Sequence, residues 1–493
     1  MQRLRTIAIV VGNLLLASCC GAQAQDRDGR PDAVDKIFAD FAKPGSPGCA
    51  VGVYRDGKMI YAQGYGLANI EQNVSITPKS VFDIGSTSKQ FTAASILLLE
   101  KQGKLSVNDD VRKYIPELPD YGKKITILHL LNHTSGLRDY LTLMELAGIN
   151  TDNVATDDDA LWFIARQKAL NFDPGSEWLY SNTGFFLLSV IVKRVSGKTL
   201  REFAAESIFT PLRMSNTQFR DDHTQLVPNR ALAYEPVENK TGYTMDVSYF
   251  EQTGDGAVHT SVEDLLKWDE NFYTGQIGGK TFLAEMLEQG RLNNGKTLDY
   301  AKGLFIENYR GLGTVRHGGS WGGYRAELLR FPEQHFSVAC LCNLGNANPE
   351  KRAEQTAEVY LAERMKAPDE EKKEQVEKKK EENSLSASQL APYAGDFYSP
   401  ELGVIYQLRV SNEKLTIAAI LDAGGVPKLN SFSRNVFRST GDNKFNLAGA
   451  SLILHFSKDA AGITNGFILD DGRTKGMQFQ RMTTGMPIKE NQR

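Results

Sequence analysis

The pattern of hydrophobic positions divides the chain into segments of different period. Near the N-terminus, Gly48–Tyr54 and Lys58–Gln63 each carry the run of small, β-branched and aromatic residues that is typical of strands. Between them, Arg55-Asp56-Gly57-Lys58 contains Asp-Gly, a strong short-range signal for a hairpin turn. The sequence therefore predicts a domain that opens with two antiparallel strands.

Helical periodicity and loops dominate about residues 80–300. Strand-like segments then return at Thr314–His317, Ala326–Phe331 and Phe336–Asn343, and Ala353–Met365 has the pattern of a helix. A sheet whose strands come from both ends of a domain, with helices between them, is an α+β arrangement. We expect this first domain to span residues 31–366.

The C-terminal part of the chain, residues 385–484, has a period of two. Val404, Tyr406 and Leu408 alternate with their neighbours, and Met477 and Phe479 alternate again near the end. Clusters of turn residues separate these short segments. Short strands at this spacing predict a small all-β domain, a barrel or a sandwich.

The distribution of charge argues against a nucleic-acid partner. The 493 residues contain 57 Lys and Arg and 60 Asp and Glu, a net charge of −3. From Asp369 to Glu382 every residue is charged except Gln375 and Val376, but acids and lysines are interleaved there. Residues 367–384 are therefore predicted to be a charged linker between the domains, and no basic patch suits a phosphate backbone.

Residues 1–24 have the order of a signal peptide: two arginines, a short apolar stretch and then small residues. Two processing sites compete. Ala22-Gln23-Ala24 is an A-x-A cleavage site, whereas Leu16-Ala17-Ser18-Cys19 resembles a bacterial lipobox in which Cys19 would be lipidated and tether the protein to a membrane. Either reading predicts an exported protein, periplasmic or secreted, and both remain open.

The mature chain would keep three cysteines in an oxidising compartment. Cys340 and Cys342 are two apart on a predicted strand, so they share a face and are poorly placed to bridge each other. Our first interpretation is that these two and Cys49 are small buried apolar residues. A bridge from Cys49 to one of the pair remains open, and no histidine spacing suggests zinc.

The first candidate for chemistry is the S-x-x-K sequence Ser86-Thr-Ser-Lys89 at the start of an amphipathic helix. Residues three apart share a helix face, so the Lys89 amine can reach the Ser86 hydroxyl. A serine needs such a base to become a good nucleophile, and a lysine serves only if its pKa is lowered. Alone, the motif would be read as a helix cap with a solvated lysine.

Two further motifs are also candidates for chemistry, and each is equally unspecific on its own. Tyr180-Ser181-Asn182 places a phenol and an amide two apart after a Pro-Gly turn, and His317-Gly318-Gly319-Ser320 places glycines beside polar groups on a strand. The phenol of Tyr180 is a second candidate base. The N–H groups of Ser86 and Ser320 are candidate donors to an oxyanion. Each motif alone would be read as an ordinary loop or hairpin.

Together, and in this order, the three motifs resemble those of the serine β-lactamase and penicillin-binding-protein family, in its class C-like branch. That branch includes D-Ala-D-Ala carboxypeptidases, D-amino-acid peptidases and family VIII-type esterases. The segments Leu130–Leu137 and Gly254–Thr260 also resemble the family's pattern. The resemblance implies a β-lactamase/transpeptidase-like antiparallel sheet with a helical subdomain. Residues 385–484 resemble the lipocalin-like β domains appended to some members.

The resemblance also implies roles for seven residues. Ser86 is the acylated nucleophile, Lys89 and Tyr180 handle protons, and four residues line the substrate and oxyanion site: Asn182, His317, Gly319 and Ser320. In β-lactamases the position that matches His317 is often occupied by a lysine, which is a permanent cation for a substrate carboxylate. A histidine is mostly neutral at pH 7. This departure favours an esterase or a peptidase.

The expected function is that of an exported serine hydrolase that forms an acyl-enzyme with an ester, amide or peptide. A sensor that acylates without turnover and a true class C-like β-lactamase remain alternatives. No metal or organic cofactor is implied. The expected partner is a small-molecule or peptide substrate. Whether it derives from the cell wall is left open, as are the oligomeric state and the role of the C-terminal domain.

Overall fold

The computed structural model describes residues 29–367, 385–433, 435–441 and 443–483. The predicted signal peptide at residues 1–24, including Cys19, lies outside the described residues. So does the predicted linker, apart from its first residue. In the described part of the chain, no helix combines the length and hydropathy that crossing a bilayer requires.

Two domains follow one another along the chain. The strands of the first are β1 Cys49–Arg55, β2 Lys58–Tyr65, β3 Leu67–Asn69, β4 Val74–Ser75, β5 Phe82–Asp83, β6 Gln218–Phe219, β7 Tyr234–Pro236, β8 Tyr243–Met245, β9 Val258–Thr260, β10 Tyr300–Ala301, β11 Leu304–Tyr309, β12 Leu312–Trp321, β13 Tyr324–Phe331 and β14 Phe336–Cys342. Its helices are α1 Arg30–Ile37, α2 Lys89–Lys101, α3 Ile127–Leu131, α4 Tyr140–Leu146, α5 Asp157–Ala165, α6 Asn182–Ser196, α7 Leu200–Ala204, α8 Val262–Thr274, α9 Gly279–Met286 and α10 Pro349–Leu361.

The main sheet of the first domain is antiparallel, in the order β10-β11-β12-β13-β14-β1-β2. Strands from both ends of the domain pair within this sheet, where β1 lies beside β14. The predicted α+β arrangement is thus confirmed. Asp56 and Gly57 have φ angles of 51° and 71°, the positive values that a two-residue hairpin turn requires, so the Asp-Gly signal identified the turn between β1 and β2.

Helices cover both faces of this sheet. On one face, α1 and α10 pack over a cluster that includes Val34, Phe38 and Ala357. On the other face lies a larger hydrophobic core to which α2, α6 and α8 contribute. The two central helices α2 and α6 contact each other and carry the first two motifs at their N-terminal ends. Packing of these two helices therefore brings the two motifs together.

A disulfide joins two neighbouring strands of the sheet, β1 and β14. Cys49 and Cys342 face each other in the β1–β14 register and form an S–S bond, with a Cα–Cα distance of 4.0 Å. The interpretation of all three cysteines as unbonded apolar residues was therefore wrong for two of them. Cys340 is a free buried thiol. The pairing depends on a register between strands 293 residues apart, which no local pattern reveals.

The second domain is a closed barrel of eight strands, with one short strand added at its edge. After the short helix α11 (Ala387–Leu390), its strands are β15 Gly395–Ser399, β16 Val404–Ser411, β17 Lys414–Asp422, β18 Pro427–Lys428, β19 Phe437–Gly441, β20 Lys444–Leu447, β21 Leu452–Lys458, β22 Thr464–Asp471 and β23 Thr474–Arg481. Pairing of β16 with β17 closes the barrel. The alternation predicted from the sequence fills its interior: Tyr406, Leu408, Met477 and Phe479 are buried.

The barrel packs directly on the first domain, and one hydrophobic cluster extends through both. At their junction, Arg138 Nη1 lies 2.7 Å from Glu401 Oε2, and the two side chains are only 1% and 3% exposed. Tyr406 of the barrel also donates a hydrogen bond to the carbonyl of Leu146, at 2.7 Å. These buried polar contacts fix how the barrel is oriented on the first domain.

Candidate active site

The nucleophile candidate lies in a tight turn ahead of α2. A short 3₁₀ helix, Gly85–Ser88, follows β5 and leads into α2 at Lys89. The Asp83 carboxylate accepts a 2.8 Å hydrogen bond from the Gly85 N–H, which holds the start of the turn. Gly85 has a φ of 48°, and a Cβ there would lie 2.7 Å from the Ser320 nitrogen. Only glycine lets the turn approach β12 this closely.

The Lys89 amine is fully buried beneath Ser86 and makes three hydrogen bonds. Its Nζ donates to Ser86 Oγ at 3.0 Å, to Asn182 Oδ1 at 3.0 Å and to the carbonyl of Asp255 at 2.6 Å. Burial lowers the pKa of Lys89 to about 8, although the nearby carboxylates of Asp255 and Asp139 act in the opposite direction. A lysine held in this way can exchange a proton with the serine near neutral pH.

Tyr180 and Asn182 face the lysine from the start of α6. The Tyr180 ring centroid lies 4.9 Å from Lys89 Nζ. Its buried hydroxyl has no hydrogen bond of good geometry within the described residues, although it lies near enough to Ser86 for that hydroxyl to lower its pKa. Burial is the larger cause and raises the pKa of Tyr180 above its ordinary value. Asn182 is held in place because its own N–H donates to Asp139 Oδ2 at 2.5 Å.

The third motif lies on the free end of β12. Strand β11 pairs with β12 only as far as Arg316, so no described strand pairs with residues 317–321 on that side, and these residues face the nucleophile turn. A Cβ at Gly319 would lie 1.9 Å from the carbonyl oxygen of Ile84. The glycine therefore makes room for the protein's own backbone, in addition to the substrate for which the sequence suggested it. Ser320 is exposed beside this turn.

His317 is held by neutral partners. Ser181 N–H donates to His133 Nδ1 at 3.2 Å, so a neutral His133 carries its proton on Nε2, which lies 3.1 Å from the Tyr300 hydroxyl. That hydroxyl lies 3.3 Å from His317 Nε2, and His317 Nδ1 lies 2.6 Å from the Gly318 carbonyl. One set of protons satisfies the whole chain, with each group donating to the next. Burial lowers the pKa of His317 to about 3, so the ring stays neutral.

His133 and His259, which lie in the two further segments that resemble the family, are buried and play a structural part. Burial lowers the pKa of His133 well below its ordinary value, and its ring packs at a tilt against that of Tyr180, with the centroids 4.2 Å apart. Burial also lowers the pKa of His259 to about 3. Both side chains are less than 3% exposed. His133 thus supports the ring of Tyr180, and neither histidine is placed as a charged group.

These elements surround one cavity of about 1080 Å³. Six of the seven residues predicted for the site line this cavity: Ser86, Tyr180, Asn182, His317, Gly319 and Ser320. The seventh, Lys89, lies under Ser86. Aromatic side chains, among them Trp178, Phe305 and Trp321, form other parts of the wall. The structure thus brings all seven residues together, and their roles in catalysis remain predictions.

Sequence reasoning missed four residues that shape the site. Asp139 and Asp255 set the charge around Lys89, Tyr300 links the two histidines, and Arg473 comes from the barrel to line the cavity. Asp255 is in the Gly254–Thr260 segment, where its position next to a glycine was a usable signal. For the other three, only the tertiary contacts show the position.

Comparison with known proteins agrees with this geometry. Residues 34–363 match the family described as Beta-lactamase. Penicillin-binding protein 4* of Bacillus subtilis (strain 168) is 28% identical over 437 residues, which cover 84% of this chain and 91% of that protein. A D-aminopeptidase of Gluconobacter oxydans (strain 621H) is 28% identical over 63% of this chain and 58% of its own length.

Two solved structures share the fold. The octameric penicillin-binding protein homologue from Pyrococcus abyssi superposes with a TM-score of 0.60 at 24% identity, and the match covers 92% of this chain and 99% of that one. The D-amino acid amidase from Ochrobactrum anthropi SV3 gives a TM-score of 0.59 at 21% identity, over 68% and 99%. The family match covers well over half of the chain. On this match and the geometry above, the chain belongs to the beta-lactamase family.

Proposed function

We propose that the protein is an exported serine hydrolase that cleaves ester or amide bonds through an acyl-enzyme on Ser86. The observation that carries this proposal is the 3.0 Å hydrogen bond between Lys89 Nζ and Ser86 Oγ at the floor of an open cavity. The nucleophile and a base of lowered pKa are already in contact, as the chemistry requires. Relatives named as a D-aminopeptidase and a penicillin-binding protein support the same reaction class.

The proposed steps use only groups of this chain. Ser86 Oγ attacks the substrate carbonyl carbon while its proton passes to the neutral amine of Lys89. The N–H groups of Ser86 and Ser320 stabilise the oxyanion. Tyr180 transfers a proton to the leaving group as the carbon–leaving-group bond breaks. A water molecule then attacks the acyl-enzyme with the same groups acting in reverse, which releases the acid and restores Ser86.

The surroundings of His317 support an esterase or a peptidase of D-amino-acid or D-Ala type over an efficient β-lactamase. Burial lowers the pKa of His317 to about 3, and both ring nitrogens already lie at hydrogen-bond distance from partners. His317 therefore offers no cation to a substrate carboxylate. We expect slow turnover of penicillins and cephalosporins.

The proposed location outside the cytoplasm has one structural support. A disulfide between Cys49 and Cys342 persists in an oxidising compartment. It accords with a signal peptide at residues 1–24. The mass of the mature protein distinguishes cleavage after Ala24 from lipidation of Cys19.

Intact-mass spectrometry with peptide mapping tests the proposal. The protein is treated with a fluorophosphonate and separately with penicillin G. We expect a single adduct on Ser86, lost in Ser86→Ala and kept in Ser176→Ala, which alters an exposed serine outside the cavity. No adduct on the folded protein would overturn the proposal. An adduct that forms but never decays, with no turnover of any ester, would identify a sensor instead of a hydrolase.

A further inference from the structure

The barrel reaches into the cavity that holds Ser86. Strands β22 and β23 are joined by a two-residue turn, Gly472-Arg473, because Asp471 pairs with Thr474. Arg473 lies at the tip of this turn and lines the cavity. Its guanidinium carbon stands 4.8 Å from the centroid of the Tyr180 ring, a cation–π contact. A side chain of the second domain thus forms part of the candidate active site.

The position of this turn is built by the first domain. The carbonyl of Arg473 accepts hydrogen bonds from Asn171 Nδ2 at 2.9 Å and from Asp139 N at 3.3 Å. Arg138 donates to the carbonyls of Lys475 and Gly476, at 2.9 and 3.1 Å. Asp139 also receives the N–H of Asn182, the residue that holds the Lys89 amine. The turn is therefore tied to the same segment that positions the base.

The positive charge of Arg473 is not paired with a carboxylate in the described part of the chain. Its side chain is exposed and forms no ion pair or hydrogen bond among the described residues. Three other arginines line the cavity, and each is bonded to a partner: Arg316 to Glu327, Arg325 to Glu235, and Arg220 to the main-chain carbonyl of Ser248. Two of these three charges are thus neutralised by carboxylates, and the third, Arg220, is buried and held by main-chain carbonyls. Among the described arginines of the wall, Arg473 alone is exposed.

We propose that Arg473 is the residue that recognises a substrate carboxylate, so that the barrel selects anionic substrates for the Ser86 site. This inference rests on the proposed function and names its substrate class: esters and peptides with a free carboxylate close to the scissile bond. A guanidinium presents paired N–H donors that match a carboxylate. On β12, His317 is neutral and Arg316 is already paired with Glu327, so the barrel provides the missing positive charge.

A matched pair of aryl esters tests the inference: 3-carboxyphenyl acetate and 3-carbamoylphenyl acetate, which differ by a carboxylate against a neutral amide. We expect the wild-type protein to prefer the carboxylate ester in kcat/KM. On the pH plateau above the pKa of Lys89, Arg473→Gln should lower the ratio of kcat/KM for the carboxylate ester to that for the neutral ester by roughly 10-fold or more, the usual scale of a hydrogen bond to a charged group. The turn should stay in place, because its anchors are main-chain atoms.

Two variants make the test specific. Lys475→Gln removes the same charge from an exposed position of the same hairpin that does not line the cavity, and we expect no change in the preference. Arg473→Glu should reverse the preference. Equal losses on both esters in Arg473→Gln, or no wild-type preference, would overturn the inference while leaving the hydrolase intact. If the wild type hydrolyses neither ester, the inference fails, and fluorophosphonate labelling of Ser86 decides separately whether the proposed function stands.

Discussion

The two sides of the cavity are built in opposite ways. On the nucleophile side, Ser86 and Lys89 are three residues apart, and one turn of backbone places the amine 3.0 Å from the hydroxyl. On the barrel side, Arg473 reaches the ring of Tyr180 from another domain, through a turn held by Asn171 and Asp139. Bond-breaking groups are local in the sequence, whereas the candidate recognition group depends on how two domains pack.

Because of this difference, we expect mutations in the two regions to affect different properties of the protein. A change on the nucleophile side should remove the chemistry for every substrate. A change at the domain junction should leave the serine reactive and alter which substrates are chosen.

Lys89→Met should reduce kcat/KM for every ester by about 10²- to 10⁴-fold, because the proton of Ser86 then has no acceptor at 3.0 Å. The measurement is steady-state hydrolysis of the two aryl esters. Lys302→Met is the matched control, since Lys302 is also buried but donates to the Glu285 carbonyl away from the cavity. Retention of more than about a tenth of the activity in Lys89→Met would contradict the role of the amine as base.

Arg138→Met should lower the free energy of unfolding by about 3–5 kcal/mol, because it leaves the Glu401 carboxylate buried without its partner. Equilibrium unfolding in urea measures this loss. We also expect the preference for the carboxylate ester to disappear, since the turn that carries Arg473 loses two of its hydrogen bonds. Fluorophosphonate labelling of Ser86 in the folded fraction should persist.

Two controls sharpen that comparison. Arg194→Met breaks an exposed pair with Glu117 and should cost less than about 1 kcal/mol. The double variant Arg138→Met/Glu401→Gln should be more stable than Arg138→Met alone, because no charge is left buried. A loss of Ser86 labelling that parallels the loss of ester preference would show that the two sides are not separable.

The pH dependence of kcat/KM should follow the titration of the Lys89 amine. Burial lowers the pKa of Lys89 to about 8, so the neutral amine becomes the main form above that pH. We expect kcat/KM to rise about tenfold per pH unit below pH 8 and then to level off. Because Arg473 also lowers the pKa of Lys89, Arg473→Gln should move this limb to higher pH. The same limb in both proteins would contradict an electrostatic contact.

The pH range for this measurement has a lower bound set by folding. Burial lowers the pKa of His259 and of His317 to about 3. The unfolded chain takes up these protons below about pH 6.5, while the folded protein does not. The stability that these neutral side chains contribute is therefore complete above that pH and is lost as the pH falls. Profiles are best recorded above pH 6.5.

The sequence predicted what local spacing controls. The Asp-Gly turn, the helix that carries Lys89 and the alternation around Tyr406 were all accessible from periods and short motifs. Arg473 was not, because an arginine in a two-residue hairpin has no distinguishing pattern and its role follows from the packing of the barrel. Tyr300 was missed for the same reason, since its partners lie 167 and 17 residues away.

The disulfide has a consequence for the connectivity of the chain. Cys49 and Cys342 close a covalent ring that contains Ser86, Tyr180 and His317, and its ends are 293 positions apart in the sequence. A protease that cuts once inside this ring opens it but releases nothing, because the two pieces stay joined through sulfur. The nicked protein would migrate as one species until a reductant separates its fragments. A cut outside the ring, between the domains, would release the barrel from any covalent link.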